Sequence, residues 1–357
     1  FWIDAEMRLG IIGSGFGVQG HLAAALRMPS LDFVAVADSG SGRARKKLPE
    51  LVQYVESWEQ LPGLNLDLIS VATPPVEQRS IVLALMQRSV NVLCEKPFGS
   101  GFDDARSMEQ AAAFANKLGV VAFQYRYEKG LQELRDSYQN GKIGGVRSIS
   151  CSWLTNGRRD PSSLWSWRND KDQGGGVIGA FLSHIVDLLQ WITGQNVSSV
   201  EFANTEILYP NRPLFDGTLV PVTAEDRVET RLILGAGIPA DCEVSNCHTH
   251  SIGMQLIIRG EKGNLVYTHS PPFCPEDQFV HFQPKDGEEQ TLFDGANDGR
   301  PPGDTRIASL QELYGDIRTR TVGGEAPDLP TFKTGLVVRA VLAAIAEAAV
   351  QERNVSV

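Results

Sequence analysis

The sequence predicts an α/β protein in two parts, a parallel-sheet domain over residues 7–124 followed by an α/β domain over 125–357 with a predominantly antiparallel sheet. Three observations carry this. Residues 9–123 alternate short apolar runs with helical stretches, as strand–helix units of a parallel sheet do. A glycine-rich turn, Gly13-Ser14-Gly15-Phe16-Gly17, follows the first of those runs. From Val197 to about Phe293 the pattern changes to successive strand-like segments, as in an antiparallel sheet. A chain of 357 residues is also long for one core, so two domains are the default.

Leu9 to Ile12 reads as a strand, His21 to Met28 as a helix and Phe33 to Ala37 as a second strand ending in Asp38. Strand, glycine turn, helix, strand and acid form one βαβ unit of a Rossmann domain. Gly13 permits the tight turn, Gly15 admits a pyrophosphate to the backbone, and the helix N-terminus at Phe16 and Gly17 offers unpaired N–H groups to the anion. Asp38 stands where a carboxylate bonds the adenosine ribose hydroxyls and repels a 2′-phosphate, which favours NAD, with NADP the second option because Arg43 and Arg45 follow. The third glycine of the usual fingerprint is replaced by Val18, and glycines stand instead at Gly17 and Gly20.

Asp67 to Ala72 is a further strand, and Ala72-Thr73-Pro74 would pass under the nicotinamide half of the cofactor. After a helix from Val76 to Arg88, the run Val90 to Cys94 ends in Glu95-Lys96-Pro97. Ligands of open parallel sheets sit beyond the carboxyl ends of the strands, so Lys96 is placed where chemistry would happen. A helix from Phe102 to Leu118 and a strand Val120 to Phe123 close the first domain.

Beyond Gln124 come a helix Lys129 to Asn140, a strand Val146 to Leu154 and a long loop, Gly157 to Gly176, rich in Arg and Trp. Long structureless loops of compact domains are usually binding loops. Val177 to Thr193 reads as a helix capped by Gly194. Strands follow at 200–208, 226–234, 240–248, 254–260, 263–267 and 278–283, loops at 295–303 and 323–330, and an amphipathic helix over 332–350.

A net charge of −10 disfavours nucleic acid and anionic membrane as partners. No run of eighteen or more apolar residues and no secretory leader pattern is seen, so a soluble cytoplasmic protein is expected. Phe1 to Glu6 fit no element, and Met7 reads as the natural start. Five scattered cysteines without a CxxC suit reduced thiols. Cys242, Cys247, His248 and His250 match no standard zinc spacing, so no metal is expected.

On the helix after Gly174-Gly175-Gly176, His184 and Asp187 are spaced i and i+3 and share one side. Histidine titrates near neutrality, and a carboxylate one turn away can fix its tautomer or raise its basicity. Trp165 and Trp167 could stack on a sugar ring or pack against the helix.

Together the GxG turn with His21, Ala72-Thr73-Pro74, Glu95-Lys96-Pro97, Tyr125-Arg126, Trp167-Arg168, the triple glycine, His184-Ile185-Val186-Asp187 and a last helix led by Phe332 and Gly335 resemble the glucose-fructose oxidoreductase/inositol dehydrogenase (Gfo/Idh/MocA) family. The resemblance spans nearly the whole chain. It implies a Rossmann domain followed by an α/β domain with an open sheet used for substrate binding and oligomerisation, as a homodimer or homotetramer, the helix 332–350 being able to pack back on the first domain. It also implies NAD(P)-dependent oxidation or reduction of a sugar, cyclitol or related polyol. By position, Lys96 would contact the reacting oxygen, His184 would be the acid/base residue, and Arg126, Trp167, Arg168 and Asp187 would shape the substrate site. Gly13, Gly15, Phe16, Gly17, Asp38, Ala72, Thr73, Pro74, Glu95 and Lys96 would line the cofactor, and Pro97 would be cis.

One position departs from the family pattern. An aspartate usually stands four residues before the histidine, and here it is Ala180. A non-catalytic regulator sensing NAD and sugar, and a redox-neutral enzyme with tightly bound NAD, are therefore the alternative readings.

Overall fold

The computed structural model describes residues 7–38, 42–235, 237–300, 303–351 and 353–357. The opening residues 1–6, expected to belong to no element, and Pro301 and Pro302 of the expected 295–303 loop lie outside the described residues. The chain divides into two compact units, one running to Gln124 and taking in Arg306–Val337, the other Tyr125–Thr305 with Val338–Val357.

In the first unit, β1 (Met7–Ile12), β2 (Leu31–Ala37), β3 (Gln53–Val55), β4 (Leu68–Val71), β5 (Asn91–Cys94) and β6 (Gly119–Val121) pair in the order β3-β2-β1-β4-β5-β6. Every pairing is parallel. The order reverses at β1 and β4, which makes a switch point beside the glycine turn. Leu9, Ile11, Ile12, Leu68, Ile69, Val71, Val92 and Leu93 are all buried, because helices cover both faces of such a sheet and apolar runs replace alternation. The first helix starts earlier than the apolar pattern suggested. A π-helical turn, Gly17–Leu22, runs directly into α1 (Ala23–Ala25). Then α2 (Pro75–Gln87) and α3 (Phe102–Ala115) complete the βα units.

In the second unit α4 (Lys129–Gln139) leads to β7 (Val146–Leu154). A second π-helical turn, Ile178–Leu182, runs into α5 (Ser183–Thr193), and Gly194 closes that helix at φ 67°. The remaining strands are β8 (Val197–Glu206), the small hairpin β9 (Asn211–Pro213) and β10 (Leu219–Pro221), β11 (Arg227–Leu234), β12 (Ile238–Ser245), β13 (Gly253–Gly260), β14 (Gly263–His269), β15 (Gln278–Pro284), β16 (Gln290–Asp294) and β17 (Val355–Ser356). All but the hairpin join one nine-stranded sheet, β16-β15-β14-β13-β7-β12-β11-β8-β17. Its pairings are antiparallel except β7 with β12. Along β11 burial alternates, with Val228, Thr230, Leu232 and Leu234 inward, while Arg231 pairs with Asp241 on the other face. That is how a sheet covered on one side reads.

The sequence suggests no element over 304–322 and places it in the second domain. The structure forms α6 (Thr305–Thr321) there, with Ile307, Leu310, Tyr314 and Ile317 buried, and most of it belongs to the first unit. Their spacings of three and four are a helical signature. The last helix, α7 (Phe332–Gln351), forms as expected, and its start also belongs to the first unit. Phe332 packs against Phe98 with the rings tilted and 4.5 Å apart, and a side chain larger than hydrogen at Gly335 would press on the same ring. By length and composition alone α7 could cross a membrane, but it carries Lys333, Arg339 and Glu347 and buries Val338, Val341, Leu342 and Ile345. A core helix passes the same length test.

Candidate active site

The turn after β1 has the form its glycines require. Gly13 sits at φ 129°, and a Cβ there would overlap the Ala72 carbonyl. A Cβ at Gly17 would lie 3.2 Å from Ile11, so the helix start is drawn close onto the sheet. Gly15 is different: it is exposed, and its Cβ would meet nothing within 4 Å. That open approach, followed by a helix N-terminus, suits a pyrophosphate. Across the switch point the Thr73 hydroxyl is buried with no hydrogen-bond partner among the described residues, a polar atom available to a ligand over Ala72-Thr73-Pro74. At the end of β2 Asp38 accepts a hydrogen bond from the Ala44 N–H at 2.8 Å, one of its two oxygens thus holding the turn beyond it. The residues present therefore fit a dinucleotide.

Lys96 follows β5 at the carboxyl edge of the same sheet, and the Lys96–Pro97 peptide is cis. The turn is pinned on several sides. Gln78 donates to the Glu95 carbonyl at 3.0 Å and accepts from the Gly99 N–H at 2.7 Å. Phe98, fully buried, holds a left-handed φ of 68° between Phe332 and Gly335, a conformation that persists only where packing over-determines it. The Glu95 carboxylate, expected to line the cofactor, accepts from His21 Nε2 at 3.0 Å. His21 is fully buried, and its Nδ1 lies 2.8 Å from the Tyr314 hydroxyl and 3.0 Å from Ser70 Oγ. Burial pushes the Tyr314 phenol up, so it stays protonated.

In the second unit His184 stands on the first turn of α5, buried at 2% exposure. Its ring meets Tyr125 edge-on at 4.7 Å and lies 6.2 Å from Trp153, and Trp153 in turn packs on Tyr125 at 5.2 Å and on Phe181 at 4.9 Å. The Trp153 indole N–H is buried with no hydrogen-bond partner among the described residues. The Asp187 carboxylate takes two hydrogen bonds from Arg126, Nε at 2.8 Å and Nη2 at 2.6 Å, with both residues buried. Burial pushes the Asp187 carboxyl up while the Arg126 guanidinium pulls it back. The start of the helix is held by Glu225, which accepts the Ile178 N–H at 2.9 Å and whose carboxyl burial pushes up. Gly176, at φ 97°, leaves room for that carboxylate, and a Cβ there would overlap it.

The structure thus joins Arg126 to Asp187 and brings Tyr125 beside His184. Trp167 lies under the Arg168 guanidinium at 4.8 Å, while Trp165 donates to the Pro221 carbonyl on the small hairpin at 3.2 Å. The tryptophan beside His184 is Trp153, which alternation along β7 already marks as inward. Sequence reasoning noted His21 without giving it a role and missed Glu225 and Tyr314, because their partners are remote in the chain. Among the described residues no group of three or more His, Cys, Asp or Glu could hold a metal ion.

The chain matches known families along both units. A family model described as an oxidoreductase family with an NAD-binding Rossmann fold matches residues 7–123, and one described as the GFO/IDH/MocA C-terminal domain matches residues 131–266. Levoglucosan dehydrogenase of Pseudarthrobacter phenanthrenivorans is 24% identical over 99% of this chain and 98% of its own. An inositol 2-dehydrogenase/D-chiro-inositol 3-dehydrogenase of Shouchella clausii is 24% identical over 74% of this chain and 73% of its own. Among solved structures, levoglucosan dehydrogenase in complex with NADH and L-sorbose superposes with a TM-score of 0.87 at 23% identity, covering 99% of both chains. On both family matches, in order along the chain, the protein belongs to the GFO/IDH/MocA family of NAD-binding oxidoreductases.

Proposed function

We propose that this protein is a dehydrogenase or reductase acting on a CH–OH group of a sugar, cyclitol or related polyol, with Lys96 and His184 as its catalytic residues. The observation that carries the reading is that Lys96 follows β5 on the same sheet edge as the open Gly15 turn after β1. When bound, NAD supplies hydride transfer at its nicotinamide ring. Gly13, Gly15, Phe16 and Gly17 hold the pyrophosphate half, Asp38 the ribose, and Ala72, Thr73 and Pro74 the nicotinamide half. Asp38 favours NAD over NADP. In the oxidation direction Lys96 or His184 takes the hydroxyl proton, and in reduction it returns it.

His184 works without an aspartate at 180, with Tyr125 and Trp153 against its ring and Phe181 packed on Trp153. Such walls exclude water and suit the apolar face of a sugar ring. The Arg126–Asp187 pair, Trp167 and Arg168 shape the substrate side, the pair by holding α5 against the turn that carries Tyr125. A homodimer or homotetramer through the open sheet face, a cytoplasmic location, and no nucleic-acid or membrane partner belong to the same reading, supported by the net charge of −10 and the half-exposed Phe202 on that sheet.

The test is absorbance at 340 nm with NAD or NADP against sugars, uronates and inositols, beside Lys96→Ala and His184→Ala. Turnover that collapses in both variants supports the dehydrogenase. Tight NADH binding without absorbance change on any substrate replaces it with the regulator or redox-neutral reading.

A further inference from the structure

The turn Gln124–Tyr127, which carries the Tyr125 ring against His184, is held from a second side by residues that the reading above does not use. Arg300, from the loop after β16, donates through Nη2 to the Tyr127 carbonyl at 2.6 Å and through Nη1 to the Glu128 carboxylate at 3.3 Å. Its Nε lies 3.4 Å from Asp298, which also pairs with Lys129 at 2.9 Å. Glu128 is fully buried, and its main-chain N–H donates to the Tyr125 carbonyl at 3.0 Å. One guanidinium thus reaches two consecutive residues of the segment that seats Tyr125.

A carboxylate buried like Glu128 needs donors. Arg300 is one, and the side-chain amide of Gln278, at the start of β15, is another at 2.8 Å. Tyr267 on β14 donates in turn to Gln278 Oε1 at 3.5 Å; burial, and then the Glu128 charge, push its phenol up, so it keeps its proton. Gly130 brings the start of α4 onto the same groups, since a Cβ there would lie 3.0 Å from the Tyr267 ring and 3.1 Å from Gln278. Arg126 ties the segment to α5 through Asp187, and Arg300 ties it to the loop after β16. One attachment leaves a turn able to pivot, whereas two fix the direction in which Tyr125 points.

We propose that Arg300 is a positioning residue: by holding Tyr127 and Glu128 it keeps the Tyr125 ring edge-on to His184 and so fixes the orientation of that imidazole. This rests on His184 being the acid/base residue, and the experiment separates the two claims. Without the guanidinium, Glu128 loses a donor and the turn loses its second attachment. Tyr125 then withdraws, and His184 is no longer held in the geometry that proton transfer needs.

The test is NMR of isotope-labelled histidine rings in the full chain without substrate, the His184 signal being assigned by its loss in His184→Gln. The variants are Tyr125→Leu, Arg300→Met, Arg300→Lys, the Tyr125→Leu/Arg300→Lys double variant, and Leu234→Ala in the buried core of β11. Tyr125→Leu moves the His184 signal by removing the field of the neighbouring ring. Both Arg300 variants are expected to move it in the same direction, the double variant no further than Tyr125→Leu, and Leu234→Ala to lower the melting temperature without moving it. Lysine keeps the charge but not the fork that spans Tyr127 and Glu128, so Arg300→Lys decides the matter if Arg300→Met does not fold. On a substrate that turns over, Arg300→Lys is expected to lower kcat at least about tenfold with NADH affinity unchanged. A His184 signal unmoved in Arg300→Lys, one moved equally by Leu234→Ala, or a wild-type kcat beside a moved signal overturns the proposal. A signal that shifts as expected in a protein without turnover at 340 nm upholds the positioning and counts against the functional reading alone.

Discussion

Separating Arg126 from Asp187 is the sharpest test of how the second unit is held. The pair is bidentate, at 2.8 and 2.6 Å, with side-chain exposures of 9% and 1%. Two unit charges about 4 Å apart at an effective dielectric of ~20 attract by about 4 kcal/mol, and stripping one partner from a buried pair costs roughly 3–5 kcal/mol because the other charge is left uncompensated. For a unit of this size each kcal/mol moves the melting temperature about 2–4 °C. Arg126→Met and Asp187→Leu should therefore each lower it by roughly 6–20 °C. The double variant should recover most of that loss, since burial already opposes the charge on Asp187 and apolar groups of similar volume can replace a buried pair. The assay is thermal unfolding followed by tryptophan fluorescence, to which Trp191 under the Arg126 guanidinium contributes. Single variants that melt within about 2 °C of wild type, or a double variant no better than either single one, would refute the reasoning.

Gly15→Ala should weaken NADH at least about tenfold, or about 1.4 kcal/mol, with the melting temperature unchanged, because its Cβ meets nothing within 4 Å in the protein; fluorescence titration beside a melt reads both. Gly13→Ala should lose stability as well, since it adds a Cβ onto the Ala72 carbonyl at φ 129°. Lys96→Ala and His184→Ala should each lower kcat by about 10²–10⁴ with NADH still bound, and a variant retaining wild-type kcat would remove that residue from the chemistry. Burial pushes the His269 imidazole down from its ordinary value. Below about pH 6.5 the unfolded chain binds a proton that the folded one resists, so stability is full above that pH and falls with acidification until the folded value is passed. Melting temperatures from pH 8 to 5 should show this slope, and His269→Gln should flatten it; an equal slope in the variant would assign the effect elsewhere.

The first unit was legible because its signals are local. Gly13, Gly15 and Gly17 announce a turn through the backbone freedom they add, and the apolar runs before Asp38 and Glu95 announce buried parallel strands. Helix α6 carries an equally local signal, Ile307, Leu310, Tyr314 and Ile317 at spacings of three and four.

Local sequence is enough for the strand–helix alternation of the first unit and the change to successive strands in the second, for the place of Lys96 beyond a strand end, and for the helical phase that puts His184 and Asp187 on one side. Only the tertiary structure decided that Asp187 is bound by Arg126, that Trp153 and not Trp165 stands beside His184, and that His21, Glu95 and Tyr314 meet. The physical reason is range. Backbone conformation and amphipathic period are set by neighbours a few residues apart, whereas a buried polar group takes whichever partner the packed chain brings within hydrogen-bond reach, and His21 and Tyr314 lie 293 residues apart.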